Sequence, residues 1–321
     1  MHTKKLIVSA IQPDVSASGS IGDNLHSVEG FVKEAKAKGA ELILLPEFLP
    51  TGYCLEPSIW GMAEPENGET ARWLSSQASE NGVWIGTSFL EADGKDFFNT
   101  FVLVSPEGQE VVRTRKSVPA ASERYFFKGD KGTRYVDTRF GRIGISICYE
   151  ALLSSTLADL RKNEVDLVLM PMSAPVPTLN APLRQKDLDD YTDTIRNLAP
   201  TVSKELGVPS VMANKVGAWK TNSPWPLPTE HSHFPGLSVI CDAGGRELTR
   251  IEGQDGVILS EIELDTARRK PELPRARGKW ARPVPKVFKL LIVGEILGAI
   301  SYFFSRARKQ AAIKVSGKSP R

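Results

Sequence analysis

The order of apolar and polar residues predicts a body in which strands and helices alternate. Residues 5–12 form a short apolar run typical of a strand, whereas the apolar side chains of residues 24–38 recur on one helical stripe that ends at Gly39. The same patterns predict further strands at 41–45, 83–90, 97–104, 110–115, 142–147, 165–170, 208–213, 237–241 and 257–262, and further helices at 70–81, 151–162 and 188–206. This succession indicates an α/β fold, with a mixed sheet covered by helices in one domain.

Composition supports a globular protein with free thiols. The 321 residues are 41% hydrophobic and 25% charged, which excludes low-complexity disorder, collagen and a disulfide-stapled scaffold. The three cysteines, Cys54, Cys148 and Cys241, cannot all pair. The apolar run after Lys5 is short and no small-residue cleavage site follows it, so no secretory signal is predicted. We therefore expect a cytoplasmic location, where a reduced cysteine is available for chemistry.

The net charge of +3 hides a division of the chain. Residues 268–321 carry 15 Lys and Arg against two acidic residues, whereas residues 1–267 carry 26 basic against 36 acidic residues. We therefore predict an acidic globular domain over 1–267 and a basic C-terminal extension over 268–321.

Three reactive side chains follow predicted strands directly. Glu47 comes after 41–45, Lys116 after 110–115 and Cys148 after 142–147. Ligands of open α/β sheets gather at the carboxyl ends of strands, although each residue alone is more often an ordinary loop or core residue. Together they form a chemical set. A carboxylate can deprotonate the thiol, the thiolate can attack a carbonyl-like carbon, and the ammonium and the backbone N–H of Tyr149 can stabilise the oxyanion.

The motifs around these residues resemble those of the nitrilase superfamily of carbon–nitrogen hydrolases, over most of residues 5–263. The resemblance rests on Leu-Leu-Pro-Glu-Phe at 44–48, Arg-Lys-Ser-Val-Pro at 115–119, Gly-Ile-Ser-Ile-Cys-Tyr-Glu at 144–150, the segment of Glu123 with Gly129-Asp130, and a late strand and turn at 236–245. Five motifs in the family's order are far more specific than any one of them.

The resemblance implies an α-β-β-α sandwich and catalysis without a cofactor or metal. Glu47 would be the general base and acid, Lys116 the oxyanion stabiliser, Cys148 the nucleophile that forms a thioester, and Glu123 a positioning residue. The expected substrate is a small amide or nitrile, and the expected assembly is a homodimer or a larger homo-oligomer.

Other readings of the same residues remain open but carry less support. Cys148 could pair with His231 or His233 in a Cys–His hydrolase, and His231 with His233 could bind a metal, although no other ligand lies beside them. Cys54 and Cys241 are interpreted as structural. The basic extension contains no recognisable nucleic-acid-binding module, so no nucleic-acid partner is predicted.

The extension contains an apolar segment, 287–304, that predicts a helix over about 286–306. It is interrupted by Lys289 and Glu295 and flanked by basic clusters, which include Arg275 and Arg277. This pattern favours a monotopic helix lying on the anionic inner face of the cytoplasmic membrane; a membrane span and packing on a partner subunit are the alternatives. The predicted membrane-binding residues are Trp280, Phe288, Lys289, Leu290, Leu291, Tyr302, Phe303, Phe304, Arg306 and Arg308.

A hydrolase on a membrane suggests substrates dissolved in the bilayer, such as amides with a long acyl chain. The uncharged segment 172–179 is a candidate pocket wall, and the long loop 219–235 is a candidate lid. Cys-Tyr-Glu also resembles the lipoprotein N-acyltransferase branch, but that branch carries a bundle of transmembrane helices which this chain lacks, so hydrolysis is favoured. A nitrilase, a carbamoyl hydrolase and a non-catalytic membrane-bound module are the further alternatives.

Overall fold

A computed structural model describes residues 4–15, 19–224, 227, 229–265, 269 and 278–318. The predicted boundary at 267/268 and the predicted basic residues Arg275 and Arg277 lie outside the described residues. The strands are β1 Lys4–Gln12, β2 Leu42–Leu44, β3 Trp84–Asp93, β4 Asp96–Val104, β5 Glu110–Arg115, β6 Tyr135–Thr138, β7 Gly141–Ile145, β8 Leu167–Pro171, β9 Ser210–Ala213, β10 Val216–Thr221, β11 Glu230–Cys241, β12 Glu247–Glu252 and β13 Gly256–Leu264. The helices are α1 Ile21–Ser27, α2 Glu29–Ala37, α3 Glu69–Asn81, α4 Ser154–Lys162, α5 Gln185–Arg196, α6 Leu198–Leu206, α7 Lys286–Phe304 and α8 Arg306–Ser316.

The first sheet has six strands in the order β13-β1-β2-β3-β4-β5. Its central strand β2 is continuously apolar because both of its faces are covered. Leu42 and Leu44 belong to the core shared with the second sheet, whereas Ile43 packs with helix residues such as Val32 and Leu74. This two-residue period follows from the geometry of an extended chain, in which successive side chains point to opposite faces.

The second sheet has the order β10-β11-β9-β8-β7-β6, with β12 paired to β11. Apolar side chains from both sheets, for example Val8, Ile145 and Val211, form one buried cluster between them. The single mixed sheet predicted from the apolar pattern is therefore wrong, and the sandwich implied by the resemblance is confirmed. The pattern cannot distinguish the two because it marks strands without saying which strands pair.

Three predicted elements differ locally. The single helix at 24–38 is divided at Val28 into α1 and α2, and the helix at 188–206 is divided at Asn197 into α5 and α6. Much of the long loop at 219–235 is an antiparallel hairpin of β10 and β11, in which Trp219 is buried. The Trp and Pro residues of this segment favoured the prediction of a loop, whereas tertiary packing stabilises strands there.

The C-terminal helix α7 packs along the short helical turn Ala121–Tyr125. Two glycines make the close approach possible: a Cβ on Gly294 would lie 3.2 Å from the Cα of Ala121, and one on Gly298 would lie 2.7 Å from the Cβ of Arg124. The following helix α8 packs against β3 and β4. The extension is thus in contact with the globular body.

Candidate active site

The three predicted reactive residues lie where strands end. Glu47 follows β2, Lys116 follows β5, and Cys148 opens a short helical turn, Cys148–Leu152, after β7. Cys148 has φ +51°, a left-handed conformation that is uncommon for a residue with a Cβ. Strained positions of this kind cluster at active sites, where the surrounding structure maintains them.

Lys116 is fully buried and joins the two glutamates. Its Nζ donates to Oε1 of Glu47 at 2.8 Å and to both carboxylate oxygens of Glu123 at 2.8–2.9 Å. Burial by itself would lower the pKa of Lys116, but the adjacent Glu123 and Glu47 carboxylates outweigh it, and the pKa lies above its ordinary value. Lys116 is therefore a permanent cation.

Glu47 has one occupied and one free carboxylate oxygen. Oε1 accepts from Nδ2 of Asn99 at 2.6 Å and from Lys116, whereas the buried Oε2 has no hydrogen-bond partner among the described residues. Ser173 fixes the backbone, because its Oγ donates to the Glu47 carbonyl at 2.6 Å. An immobile carboxylate with one unpaired oxygen is suited to receive a proton.

Cys148 is buried beside these charges. Burial and the Glu47 carboxylate raise the pKa of the thiol well above its usual value, and Lys116 offsets only part of this. The resting side chain is therefore a neutral thiol at physiological pH. A neighbouring base must remove its proton before it can act as a nucleophile.

Glu123 is held by more groups than the sequence indicates. Its Oε1 accepts from the Tyr53 hydroxyl at 2.8 Å, and its Oε2 accepts from the backbone N–H of Ala120 at 2.7 Å. Burial raises the pKa of Glu123 and the Lys116 ammonium opposes this rise. Tyr53 and Asn99 were not predicted, since neither stands in a motif or directly after a predicted strand.

A second buried lysine, Lys215, was also not predicted. It lies two residues beyond β9, fully buried, and its Nζ donates to the Phe48 carbonyl at 3.2 Å. Burial lowers its pKa to about 7, although Glu47 and Cys148 act in the opposite direction. The strand-end rule that found Glu47 would have found this residue as well.

A cavity of about 430 Å³ is lined by Cys148 and by residues of α7. Its walls are mostly apolar, from the segment 172–183, the hairpin residue Trp219 and α7. At α7 it is lined by Leu290 and Val293, of which Val293 is 56% exposed. The cavity therefore borders both the thiol and exposed side chains of α7. We call it the active-site cavity.

The residue after the nucleophile is tied to α7. The Tyr149 hydroxyl donates to Oε1 of Glu295 at 2.8 Å, and Lys279 Nζ donates to both carboxylate oxygens of Glu295. Glu295, which interrupts the apolar segment, is thus paired within the protein. The Tyr149 ring also packs edge-on against Trp280.

The structure corrects part of the predicted membrane-binding set. Phe288 is buried against Tyr191, Tyr302 donates to Asp96 and accepts from the Phe97 N–H, and Arg308 is buried in an ion pair with Asp96. Trp280 and Leu291 are half-buried, whereas Lys289, Leu290, Phe303, Phe304 and Arg306 are exposed.

Three exposed apolar residues of α7 that were not predicted lie on the same side of the helix, namely Val293, Ile296 and Ile300. We call the exposed apolar residues of α7 the outer face: Leu290, Val293, Ile296, Ile300, Phe303 and Phe304.

A buried thiol held among two carboxylates and an ammonium, at the strand ends of a two-sheet sandwich, defines the class: a thiol hydrolase of the nitrilase type. Residues 7–272 match the carbon-nitrogen hydrolase family, and the chain belongs to that family. Within it, the protein is a carbon–nitrogen hydrolase of the amidase-like kind.

Individual relatives agree with this assignment. A nitrilase from Pyrococcus abyssi is 30% identical over 190 residues, covering 58% of this chain and 71% of the relative. N-carbamoylputrescine amidase from Arabidopsis thaliana is 24% identical over 303 residues, covering 90% and 96%. The crystal structure of a carbon-nitrogen hydrolase from Helicobacter pylori G27 superposes with a TM-score of 0.72 at 18% identity, covering 83% and 91%, which shows the shared fold.

Proposed function

We propose that this protein is an amidase for amides with a long apolar chain, which it takes from the surface of a membrane. The observation that carries the proposal is the active-site cavity, which we interpret as a channel from Cys148 to the outer face of α7 and call the acyl channel. A channel of this polarity gains free energy from each methylene it removes from water. A small polar amide would leave most of it unused.

The cluster around Cys148 supports a two-step mechanism. As Sγ attacks the amide carbon, Glu47 takes the thiol proton, and Lys116 with the backbone N–H of Tyr149 stabilises the oxyanion. The carbon–nitrogen bond then breaks, and Glu47 gives its proton to the leaving amine. Water attacks the thioester, Glu47 accepts a proton from it and returns that proton to Sγ, and the acid is released. Glu123 keeps the Lys116 ammonium in position.

The outer face supports attachment to the membrane surface. Its side chains recur at helical spacing and are up to 73% exposed, and Lys289 and Arg306 stand near its two ends. Among the described residues, α7 is the helix long and apolar enough to cross a membrane by length and composition. A helix lying flat fits better than a span, because α7 is tied to the body through Glu295 and Tyr302.

The proposal is tested with linear primary amides of increasing acyl length, assayed with and without phosphatidylcholine vesicles. We expect kcat/KM to rise about fourfold per added methylene until the channel is filled, because each buried methylene contributes about 0.8 kcal/mol. Cys148→Ala is the blank. A kcat/KM that does not rise with chain length would contradict the long-chain assignment while leaving the hydrolase assignment intact.

Membrane attachment is tested with the variant Ile296→Ser/Ile300→Ser. The variant is expected to bind vesicles roughly 30-fold more weakly than the wild type, because each exposed isoleucine of the outer face contributes about 1 kcal/mol. Activity on the shortest amide is the internal control and should not change. Vesicle binding equal to that of the wild type would contradict the proposal, as would an oligomer in which a second copy covers the outer face.

A further inference from the structure

A second pocket lies at the C-terminal end of α7, apart from the acyl channel. It is bordered by the end of α7, the start of α8, the β3–β4 turn and the segment after Glu123. Five cationic side chains and one carboxylate line it: Lys95, Arg124, Lys128, Arg308, Lys309 and Asp96. We call it the basic pocket.

The single carboxylate cannot balance these cations. Asp96 accepts from Lys128 Nζ at 2.6 Å and from Arg308 Nη1 at 2.7 Å. Burial opposes its ionisation, but these two cations keep its pKa below the ordinary value. Among the described residues, no carboxylate forms an ion pair with the remaining three cations, so the lining carries a formal charge of +4. A surface of this charge is complementary to a phosphate group.

Arg308 makes the base of the pocket rigid. The side chain is 2% exposed, and its guanidinium donates to the Lys95 carbonyl and to the Tyr302 hydroxyl as well as to Asp96. Its Nε has no partner among the described residues. A fixed cation loses little side-chain entropy when an anion binds near it.

The basic pocket is continuous with the outer face of α7. Phe303 lines it and is 67% exposed. Ten residues of helix separate Phe303 from Val293 at the end of the acyl channel, a distance of about 15 Å. An anion in the pocket would therefore lie beside apolar side chains, as a headgroup phosphate lies beside its acyl chains.

We propose that the basic pocket binds the headgroup phosphate of an anionic phospholipid, while the outer face lies among the acyl chains of the same leaflet. The inference rests on the proposed function and adds to it a specific lipid contact. With one end of α7 held at headgroup depth, the helix lies along the bilayer surface and the acyl channel opens into the leaflet.

The test measures binding of the full-length protein to sedimented vesicles of phosphatidylcholine, with or without phosphatidylglycerol. Arg124→Gln/Lys309→Gln should weaken binding to phosphatidylglycerol-containing vesicles about 30-fold, at about 1 kcal/mol per cation, and leave binding to pure phosphatidylcholine unchanged. The matched control, Lys286→Gln/Lys289→Gln, removes the same charge at the other end of α7 and should have a smaller effect. Melting temperatures check that both variants fold.

Each other outcome overturns the proposal in a recognisable way. Equal losses in the two variants would indicate diffuse attraction without a pocket. Equal binding of the wild-type protein to both vesicle types would contradict the phosphate contact but not membrane attachment. Binding to neither vesicle type would contradict both. The pocket would instead bind a soluble phosphate compound if two results were found together. Inorganic phosphate would raise the melting temperature more than chloride does at equal ionic strength, and the protein would show no preference for anionic vesicles.

Discussion

Around Cys148 the protein buries charge, whereas along α7 it exposes hydrocarbon. Glu47, Lys116 and Glu123 are each 0% exposed, and the outer face shows most of its isoleucine and phenylalanine surface to solvent. Both arrangements oppose folding and solubility, because burying an ion costs several kcal/mol and a contiguous apolar surface promotes association. The comparison supports the proposed function, in which the buried region contacts a reacting carbon and the exposed region contacts an apolar phase.

The largest expected effect comes from removing the chemistry of the buried region. Cys148→Ala or Glu47→Gln should each lower kcat by about 10⁴-fold, and the double variant should lose little more, since residues that act as a unit are not additive. Cys241→Ala, at another buried cysteine, is the control and should keep its activity. Additive losses measured on a short amide would show that the thiol and the carboxylate act separately.

A smaller effect is expected from Lys215, whose substitution measures the free-energy cost of burying one charged group. Because burial lowers its pKa from 10.5 to about 7, the unfolded chain binds more protons than the folded protein between these values. This residue therefore makes the free energy of unfolding rise with pH, by about 2 kcal/mol from pH 7 to pH 9. Lys215→Met should lack that contribution.

The measurement for Lys215 is urea unfolding at both pH values. The free energy of unfolding should rise more with pH in the wild type than in Lys215→Met. Lys33→Met, at an exposed lysine of α2, should show the same rise as the wild type. Parallel curves for the wild type and Lys215→Met would mean that the amine does not change its charge on folding.

The smallest effect concerns the contact that joins the two regions. In Gly298→Ala, the new Cβ would lie 2.7 Å from the Arg124 Cβ and 2.9 Å from the Arg124 carbonyl carbon, so backbone must move. We expect a net loss of about 1 kcal/mol, since overpacking outweighs the helix propensity of alanine. Gly30→Ala in α2 meets nothing within 4 Å and should raise stability by a few tenths of a kcal/mol. Thermal unfolding compares the two, and equal stabilisation would show that α7 is loosely packed.

The sequence predicted the site best where a reactive side chain follows a predicted strand. Glu47, Lys116 and Cys148 were predicted because each follows a strand, and local patterns identify strands well. Arg308 could not be placed in the same way: its burial depends on Asp96, which is 212 residues away, and nothing in a basic segment signals such a pair. The two sheets were likewise invisible to periodicity, since the pairing of β1 with β13 joins opposite ends of the domain.

The position of the acyl channel has a practical consequence for handling the enzyme. On the proposed function, a detergent that covers the outer face places its alkyl chain beside Leu290 and Val293, which line the cavity of Cys148. The detergent chain and the proposed long-chain substrate would then compete for one space. An apparent KM measured in micelles would therefore depend on the length and concentration of the detergent, and lipid nanodiscs would be the better setting for kinetics.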